Sequence, residues 1–204
     1  MVEFTPQEKS LLKKLDTPRK IQHFINSIPI NFEKNGDTCF SPRMVLQEWK
    51  AHCVEGAMLA AAALRLQGFP PLIVDLETTK GDYDHVIAVF QQKGHWGAIS
   101  KTNHGVLRYR DPIYKSIREL VMSYFHEYFD SKGKKTLRTY TLPVNLSQFD
   151  KKGWMTSEQE VWYVPDYLTT VKHVPILSRA QIAILKKPDQ IEQKVGRLVE
   201  WRKG

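Results

Sequence analysis

Apolar residues in the first third of the chain recur at the three- and four-residue spacing of helices. Two such stripes precede residue 30, and they consist of Leu11, Leu12 and Leu15, then Ile21, Phe24, Ile25 and Ile28. Thr17 before Pro18 and Ser41 before Pro42 each combine an N-cap residue with a proline suited to the first helical turn. We therefore expect one helix to begin near Pro18 and another to run from Pro42 to about Trp49.

A longer helix is predicted from Cys53 onward. The segment CVEGAMLAAAALRLQ, residues 53–67, is dense in strong helix formers. Gly68 and the prolines at positions 70 and 71 provide its stop. We expect this helix to be buried.

The pattern then becomes typical of strands. PLIVDLE (71–77) is rich in β-formers, and HVIAVFQQ (85–92) and HWGAIS (95–100) flank a two-residue turn at Lys93 and Gly94. Such a turn pairs Gln92 with His95, so His85 faces Thr102 with Ser100 on the diagonal. Residues 106–109 are predicted as a third strand.

The rest of the chain is mixed. Residues 114–129 predict an amphipathic helix with Tyr124, Phe125, Tyr128 and Phe129 in the core, and residues 189–204 predict a final helix. Helices followed by strands and a mixed tail favour an α+β fold over a doubly wound parallel sheet. We expect a single domain over residues 1–204, with N-terminal helices packed on a small antiparallel sheet. Its core would span about 40–130, and a C-terminal extension about 134–204.

Composition narrows the classes of protein. No apolar run reaches the roughly 18 to 20 residues of a membrane span, and the first residues lack the apolar region of a secretory signal. Two cysteines are too few for a disulfide framework, so we expect a cytoplasmic protein. With no CxxC or HExxH spacing, neither a metal nor another cofactor is expected. The net charge of +8 is spread along the chain, which disfavours a nucleic-acid-binding protein.

Cys53 is the residue with the clearest chemical potential. It follows the polar stretch QEWKAH and opens the alanine-rich helix, so its sulfur would lie at the positive end of the helix dipole, which stabilises a thiolate. His85 begins a strand directly after Asp84, where an imidazole can project from the rim of a sheet. A thiolate beside an imidazole is the pair that acyl transfer by cysteine requires.

The stretch from Trp49 to Pro112, about a third of the chain, resembles the transglutaminase-like superfamily, whose core is built like that of papain-like cysteine proteases. The resemblance lies in HCVEGAMLAAAALRLQGFPPLIVDL and in DHVIAVFQQKGHWGAIS. It implies a papain-like core in which Cys53 is the nucleophile and His85 is its general base and acid.

The third member of the site departs from the family pattern. The family commonly has an aspartate four residues beyond the hairpin tryptophan, and that position is Ser100 here. Asp111 retains an Asp-Pro pair and is the preferred candidate, with Asn103 and Ser100 as alternatives. Asn103 would act as the asparagine of papain-like enzymes does, by fixing the imidazole tautomer.

Other site residues are weaker candidates. Gln47, six residues before Cys53, resembles in its spacing the glutamine that donates to the oxyanion in papain-like proteases, and Trp49 is its rival. Arg108 and Arg110 are candidates for binding an acidic substrate, although a solvated basic face explains them equally well.

The leading hypothesis is a cysteine acyl-transfer enzyme that hydrolyses or transfers an amide or ester through a Cys53 thioester. Its substrate would be a peptide or a small molecule. The missing aspartate at position 100 motivates an alternative, a transglutaminase-fold scaffold or binding protein that has lost catalysis.

Overall fold

A single antiparallel sheet with helices on both faces organises the chain. The computed structural model describes residues 3–34 and 36–202, and within them the fold is α+β. The sheet has seven strands: β1 (Leu72–Thr78), β2 (His85–Gln92), β3 (His95–Ile99), β4 (Arg110–Tyr114), β5 (Leu137–Thr141), β6 (Val144–Asn145) and β7 (His173–Pro175). Their order is β4-β3-β2-β1-β5-β7, and β6 also pairs with β1.

Eight α-helices surround this sheet in the described part of the chain: α1 (Pro6–Lys13), α2 (Pro18–Ser27), α3 (Pro42–Glu48), α4 (Cys53–Leu66), α5 (Ile117–Met122), α6 (Tyr163–Thr170), α7 (Arg179–Ala183) and α8 (Gln190–Gly196). Two 3-10 helices span Phe125–Glu127 and Leu146–Lys152. None of these helices combines the length and hydropathy needed to cross a bilayer.

The predicted helix starts are confirmed. Thr17 and Ser41 cap α2 and α3 with their hydroxyl groups, and Pro18 and Pro42 occupy the first turns. Each hydroxyl accepts one of the backbone N–H groups that a helix leaves free at its start. Both helices are thereby fixed by local sequence.

The predicted hairpin is also confirmed, including its register. Gln92 pairs with His95 across the turn, and Ala88 pairs with Ile99. Lys93 and Gly94 both have positive φ, 51° and 78°, as a tight hairpin turn requires. The strand that begins at His85 is therefore placed directly beside β3, which ends at Ile99 immediately before Ser100.

Two apolar cores lie on opposite faces of the sheet. The first packs α1 to α4 and α6 against side chains such as Ile73, Val86 and Phe90. The second packs α5 and the following aromatic residues against side chains such as Val74 and Ile87. Alternate residues of β1 and β2 thus enter different cores, as strand geometry dictates.

The strand predicted over residues 106–109 begins later, at Arg110. Residues 106–109 form an irregular segment in which Leu107 has φ 60° and donates its N–H to Glu127 Oε2 at 2.7 Å. Arg110–Tyr114 forms β4 instead, so Asp111 and Pro112 lie inside a strand. Proline is tolerated there because β4 is at the edge of the sheet.

The predicted helix over residues 114–129 is shorter than expected. It comprises α5, which Ser116 caps, and the 3-10 turn after it. Tyr124, Phe125 and Tyr128 are buried as predicted, and Phe129 is partly buried. Apolar spacing therefore identified the buried side chains correctly but overestimated the regular helix.

The predicted C-terminal extension contributes strands to the sheet itself. Strands β5, β6 and β7 all come after Gly133, and β5 and β6 both pair with β1 in the middle of the sheet. The expected small sheet is consequently a large one.

The final helix is also shorter than predicted. It ends at Gly196, where an added Cβ would stand 2.6 Å from Phe129 Cζ. Residues 198–201 then bind the loop 103–105, with Gly105 donating to Leu198 O at 2.8 Å. Residues 203 and 204, part of the predicted helix, lie outside the described residues.

Gly56 provides a test of the packing between α4 and the segment after β3. A Cβ at this position would overlap Lys101 Cβ. Alanine normally favours a helix by about 1 kcal/mol over glycine, but overpacking costs about 1–3 kcal/mol. We expect Gly56→Ala to lower the free energy of unfolding in urea, whereas Gly105→Ala, whose Cβ would lie 3.5 Å from Leu198, changes it little. Equal effects would contradict the close approach of α4 and Lys101.

Candidate active site

The first turn of α4 is where the buried helix reaches a cavity. Every residue from Val54 to Leu64 is buried, while Cys53 at the first helical position is partly exposed. Helix geometry leaves the first N–H groups without acceptors inside the helix, and the dipole is positive there. The sulfur thus lies where an anion is stabilised.

Cys53 opens into a cavity of about 400 Å³. Its wall is shared by the start of α4, the loop 82–84 before β2, the segment 101–107 after β3 and the aromatic residues Tyr128 and Phe129. His52, Cys53 and His85 all line it. The cavity therefore brings the predicted nucleophile and the predicted base to one surface.

His85 is held by Ser100. The two side chains are 2.7 Å apart, between His85 Nε2 and Ser100 Oγ, and the Ser100 hydroxyl donates to Leu107 O at 2.5 Å. A serine hydroxyl has one proton to donate, so the contact with His85 must be a bond from Nε2–H to Oγ. This leaves Nδ1 of His85 as the nitrogen that can accept a proton from Cys53.

Ser100 is itself fixed by Gln22 of α2. The Gln22 amide accepts from Ser100 N and donates to Ser100 O, each at 2.9 Å. Gln22 is buried, with 6% of its surface exposed. A pair of hydrogen bonds from one amide holds the backbone in a single orientation, so α2 sets the position of the Ser100 hydroxyl.

Lys101 also links the segment after β3 to α2. Its ammonium donates to Ile25 O at 3.3 Å and also to Ile28 O, at the C-terminal end of α2. Burial lowers the pKa of Lys101 to about 8. The positive charge thus caps helix carbonyls and is not directed at a substrate.

A second imidazole lies beside Cys53. His52 is the N-cap residue of α4 and lines the cavity together with Cys53 and His85. Burial by itself would raise the pKa of the Cys53 thiol, but the side chains and charges of His52 and His85 outweigh it and lower that pKa to about 5. The thiolate is therefore the form present at neutral pH.

A buried carboxylate supports the first turn of α4. Glu55 has 0% of its surface exposed, and it accepts from Thr38 Oγ1, Phe40 N and His52 N at 2.8 to 2.9 Å. A buried charge is tolerated only where hydrogen bonds replace its hydration. Glu55 therefore joins the loop before α3 to the helix that carries Cys53.

Cys39, the other thiol, has neither the exposure nor the lowered pKa of Cys53. It is fully buried and free. Burial, together with the charge of Glu55, raises the pKa of Cys39 to about 12. Of these two thiols, Cys53 is the one that is both partly exposed and ionised at neutral pH.

The structure places Ser100, and not the preferred Asp111, beside His85. Asp111 is exposed on the edge strand β4. Asn103 lines the cavity, but its amide donates to Trp201 O and accepts from Trp201 N at 2.9 and 2.8 Å. Its side chain thus anchors the C-terminal segment, which leaves Ser100 as the partner of the imidazole.

The oxyanion candidates lie elsewhere. Gln47 is an exposed residue of α3, and Trp49 follows that helix with 44% of its surface exposed and its ring against Phe24. Neither is among the described residues that line the cavity. The N–H of Cys53 is the donor that the first helical turn supplies.

The two predicted substrate-binding arginines are engaged in ion pairs. Arg108 pairs with Glu200 at 3.0 Å, and Arg110 pairs with Glu127 at 2.7 Å and stacks over Tyr124. The cavity wall carries the carboxylates of Glu33, Asp82, Asp84 and Glu127, together with Lys101. Neither arginine is among the described residues that line the cavity.

Sequence reasoning missed three contributors to the site: His52, Glu55 and Gln22. A glutamine on the apolar stripe of α2, between Ile21 and Ile25, was the available signal for Gln22. A glutamate three residues after the N-cap position is the signal of a capping box, and it pointed to Glu55. His52 carries no pattern of its own, because its role depends on a loop that folds back onto it.

Across residues 3–34 and 36–202, no group of three or more His, Cys, Asp or Glu side chains is arranged to hold a metal ion. A scan of the chain against known protein families finds no match, and a search among curated proteins finds no significant match.

The thiol can be tested by labelling with iodoacetamide across pH. We expect the rate at Cys53 to rise with a midpoint near pH 5 and to be constant above pH 7, because the thiolate is the reactive form. Peptide mapping by mass spectrometry should leave Cys39 unlabelled in the folded protein. In urea the alkylation rate of both thiols should rise with a midpoint of about pH 8.5. If Cys53 showed that midpoint in the folded protein as well, its activation would be contradicted.

Proposed function

We propose that the protein is a cysteine acyl-transfer enzyme that uses Cys53 as its nucleophile and acts on an amide or ester. The observation that carries the proposal is a partly exposed thiol at a helix start that shares one cavity with an imidazole whose Nε2 is engaged by Ser100. Nucleophile, base and a third group that orients the base form the arrangement on which nucleophilic catalysis depends.

A transglutaminase-like, papain-like core is part of this proposal. The order along the chain is a buried helix that begins with cysteine, a strand, and then a hairpin whose first strand begins with histidine. In that family the cysteine and histidine are borne by such elements. Ser100 occupies the position at which the family commonly has aspartate, so the imidazole is oriented by a neutral group.

The first proton transfer runs from Cys53 Sγ to His85 Nδ1. The Nε2–H bond to Ser100 Oγ fixes the tautomer that leaves Nδ1 free to accept. The thiolate then attacks the substrate carbonyl carbon, and the N–H of Cys53 donates to the oxygen that gains negative charge. His85 returns the proton to the leaving amine or alcohol, and a thioester on Cys53 remains.

Water or an amine completes the cycle. His85 Nδ1 takes a proton from the incoming nucleophile, which attacks the thioester and releases Cys53. Hydrolysis and transfer therefore use the same residues and differ only in whether water or an amine receives the acyl group.

The cavity restricts the substrate. Its volume of about 400 Å³ suits a small molecule or one extended side chain. Carboxylates along its wall favour an uncharged or cationic substrate over an acidic one, since like charges repel. We propose the cytoplasm as the compartment, because both cysteines are free thiols.

The decisive experiment traps the thioester. We expect 4-nitrophenyl acetate to release nitrophenol in a burst and, after acid quenching, to add one acetyl group at Cys53, as seen by mass spectrometry. Cys53→Ala should lose both the burst and the acetyl group. If Cys53 is alkylated with a midpoint near pH 5 but accepts no acyl group from esters or peptide amides, the scaffold alternative is favoured.

Ser100→Ala tests the orientation of the imidazole. The change leaves the buried Nε2–H without its acceptor, which costs about 1–3 kcal/mol, or about fivefold to 150-fold in the acylation rate. His85→Ala should cost more, about a hundredfold to ten-thousandfold, because it removes the base itself.

Ser27→Ala is the matched control, since the Ser27 hydroxyl bonds only Phe24 O in its own helix and lies away from the cavity wall. We expect this variant to acylate at the unchanged rate. An unaffected Ser100→Ala would mean that His85 needs no partner at Nε2.

A further inference from the structure

We propose that a second cavity, beside the apolar core that α5 forms, binds a phosphate monoester through Lys135. This cavity has a volume of about 420 Å³. The 3-10 turn after α5, the residue Lys135 before β5, α7, the segment 184–187 and the first turn of α8 build its wall. It shares no described lining residue with the cavity of Cys53, so the proposal does not depend on the role of Cys53.

Lys135 is the residue that indicates an anionic ligand. It lines the cavity although only 8% of its surface is exposed. Within residues 3–34 and 36–202 no ion pair includes Lys135, and its ammonium forms one hydrogen bond, to His126 Nδ1 at 2.7 Å. An ammonium has three donors, and a buried charge needs a counter-ion or hydrogen bonds to replace its hydration. An anion in the cavity would supply both.

His126 adds a second donor to the same wall. The Lys135 ammonium can only donate, so His126 Nδ1 accepts and the proton of the neutral ring is on Nε2. The side chain of His126 is exposed and lines the cavity. Because no described residue accepts from Nε2, this N–H is available to a ligand.

Two further lysines give the cavity a net positive charge. Lys186 and Lys187 follow α7 and line the wall with exposed side chains. The carboxylate among the described lining residues is that of Glu192, which accepts from Asp189 N at 2.6 Å. Three ammonium groups and one carboxylate leave two positive charges, and a phosphate monoester carries about −1.5 to −2 at neutral pH. The charge therefore matches a phosphate monoester better than a carboxylate.

The charges around the wall do not cancel this excess. Asp189 lies 3.3 Å from Lys186, but the two side chains are 56% and 80% exposed, so the pair is weak and a ligand can replace it. Arg138 donates to Lys135 O at 2.9 Å, and Arg118 donates to Ile176 O at 3.0 Å. No ion pair in the described part of the chain includes either arginine, so both add to the positive potential near the cavity.

Apolar residues on the same wall indicate that the ligand has an organic part. Leu177, Ile184 and Leu185 line the cavity, and 82% of the surface of Ile184 is exposed. An apolar group that covers these side chains would remove them from water, which stabilises a complex. Inorganic phosphate would leave them exposed. An ester of phosphate with an apolar or aromatic alcohol therefore fits both parts of the wall.

Phenyl phosphate is the probe, because it combines the phosphoryl group with an apolar ring. In calorimetric titrations at about 0.15 M salt, where diffuse attraction is screened, we expect saturable binding at one site. Inorganic phosphate and phenol should each bind more weakly. Lys135→Met keeps an unbranched side chain and removes the ammonium, so the dissociation constant for phenyl phosphate should rise about tenfold or more, since hydrogen bonds to charged groups are the stronger ones.

Lys93→Gln is the matched control, since it removes one positive charge from the exposed turn between β2 and β3, away from the cavity wall. This variant should bind phenyl phosphate with an unchanged dissociation constant. Lys187→Gln alters an exposed side chain of the wall and should weaken binding, which provides the test even if Lys135→Met does not fold.

Three results would overturn the proposal. Phenol or inorganic phosphate could bind as tightly as phenyl phosphate, or Lys93→Gln could weaken binding as much as the cavity variants. Retention on heparin without any binding of phenyl phosphate would indicate an extended surface for polyanions instead. All these measurements concern binding alone, so failure of acyl transfer at Cys53 would leave their outcome intact.

Discussion

The burial of α4 between the helical layer and the sheet is the constraint on which the remaining structure depends. From Val54 to Leu64 this helix has no exposed residue, so its direction is fixed by packing on all sides. Its N-terminus must then be completed by polar groups from elsewhere, because the first backbone N–H groups and the side chain of Glu55 cannot be left unpaired in the interior. The loop with Thr38 and Phe40 meets that need, and the Thr38 carbonyl also holds the ring of His52 at the start of the helix.

A second chain of contacts fixes the opposite side of the cavity. Gln22 holds Ser100, Ser100 holds His85, and Glu127 holds Leu107, whose carbonyl accepts the Ser100 proton. Each member is rigid because its own partner is a backbone group or a packed side chain. Two imidazoles thus approach one thiol from supports that share no residue, which is how the interior can stabilise a thiolate despite the cost of burial.

Local sequence determined the caps of α2 and α3, the helix from Cys53, the register of the hairpin and the α+β class, because these features depend on neighbouring residues or on alternation along a strand. It also indicated Cys53 and His85 as the candidate nucleophile and base. Only the tertiary structure decided that Ser100 and not Asp111 meets His85, that Arg108 and Arg110 are paired with glutamates, and that His52 lines the same cavity as Cys53. Those choices depend on residues such as Gln22, Thr38 and Glu127, which are distant in sequence and reach the site only when the layers pack together.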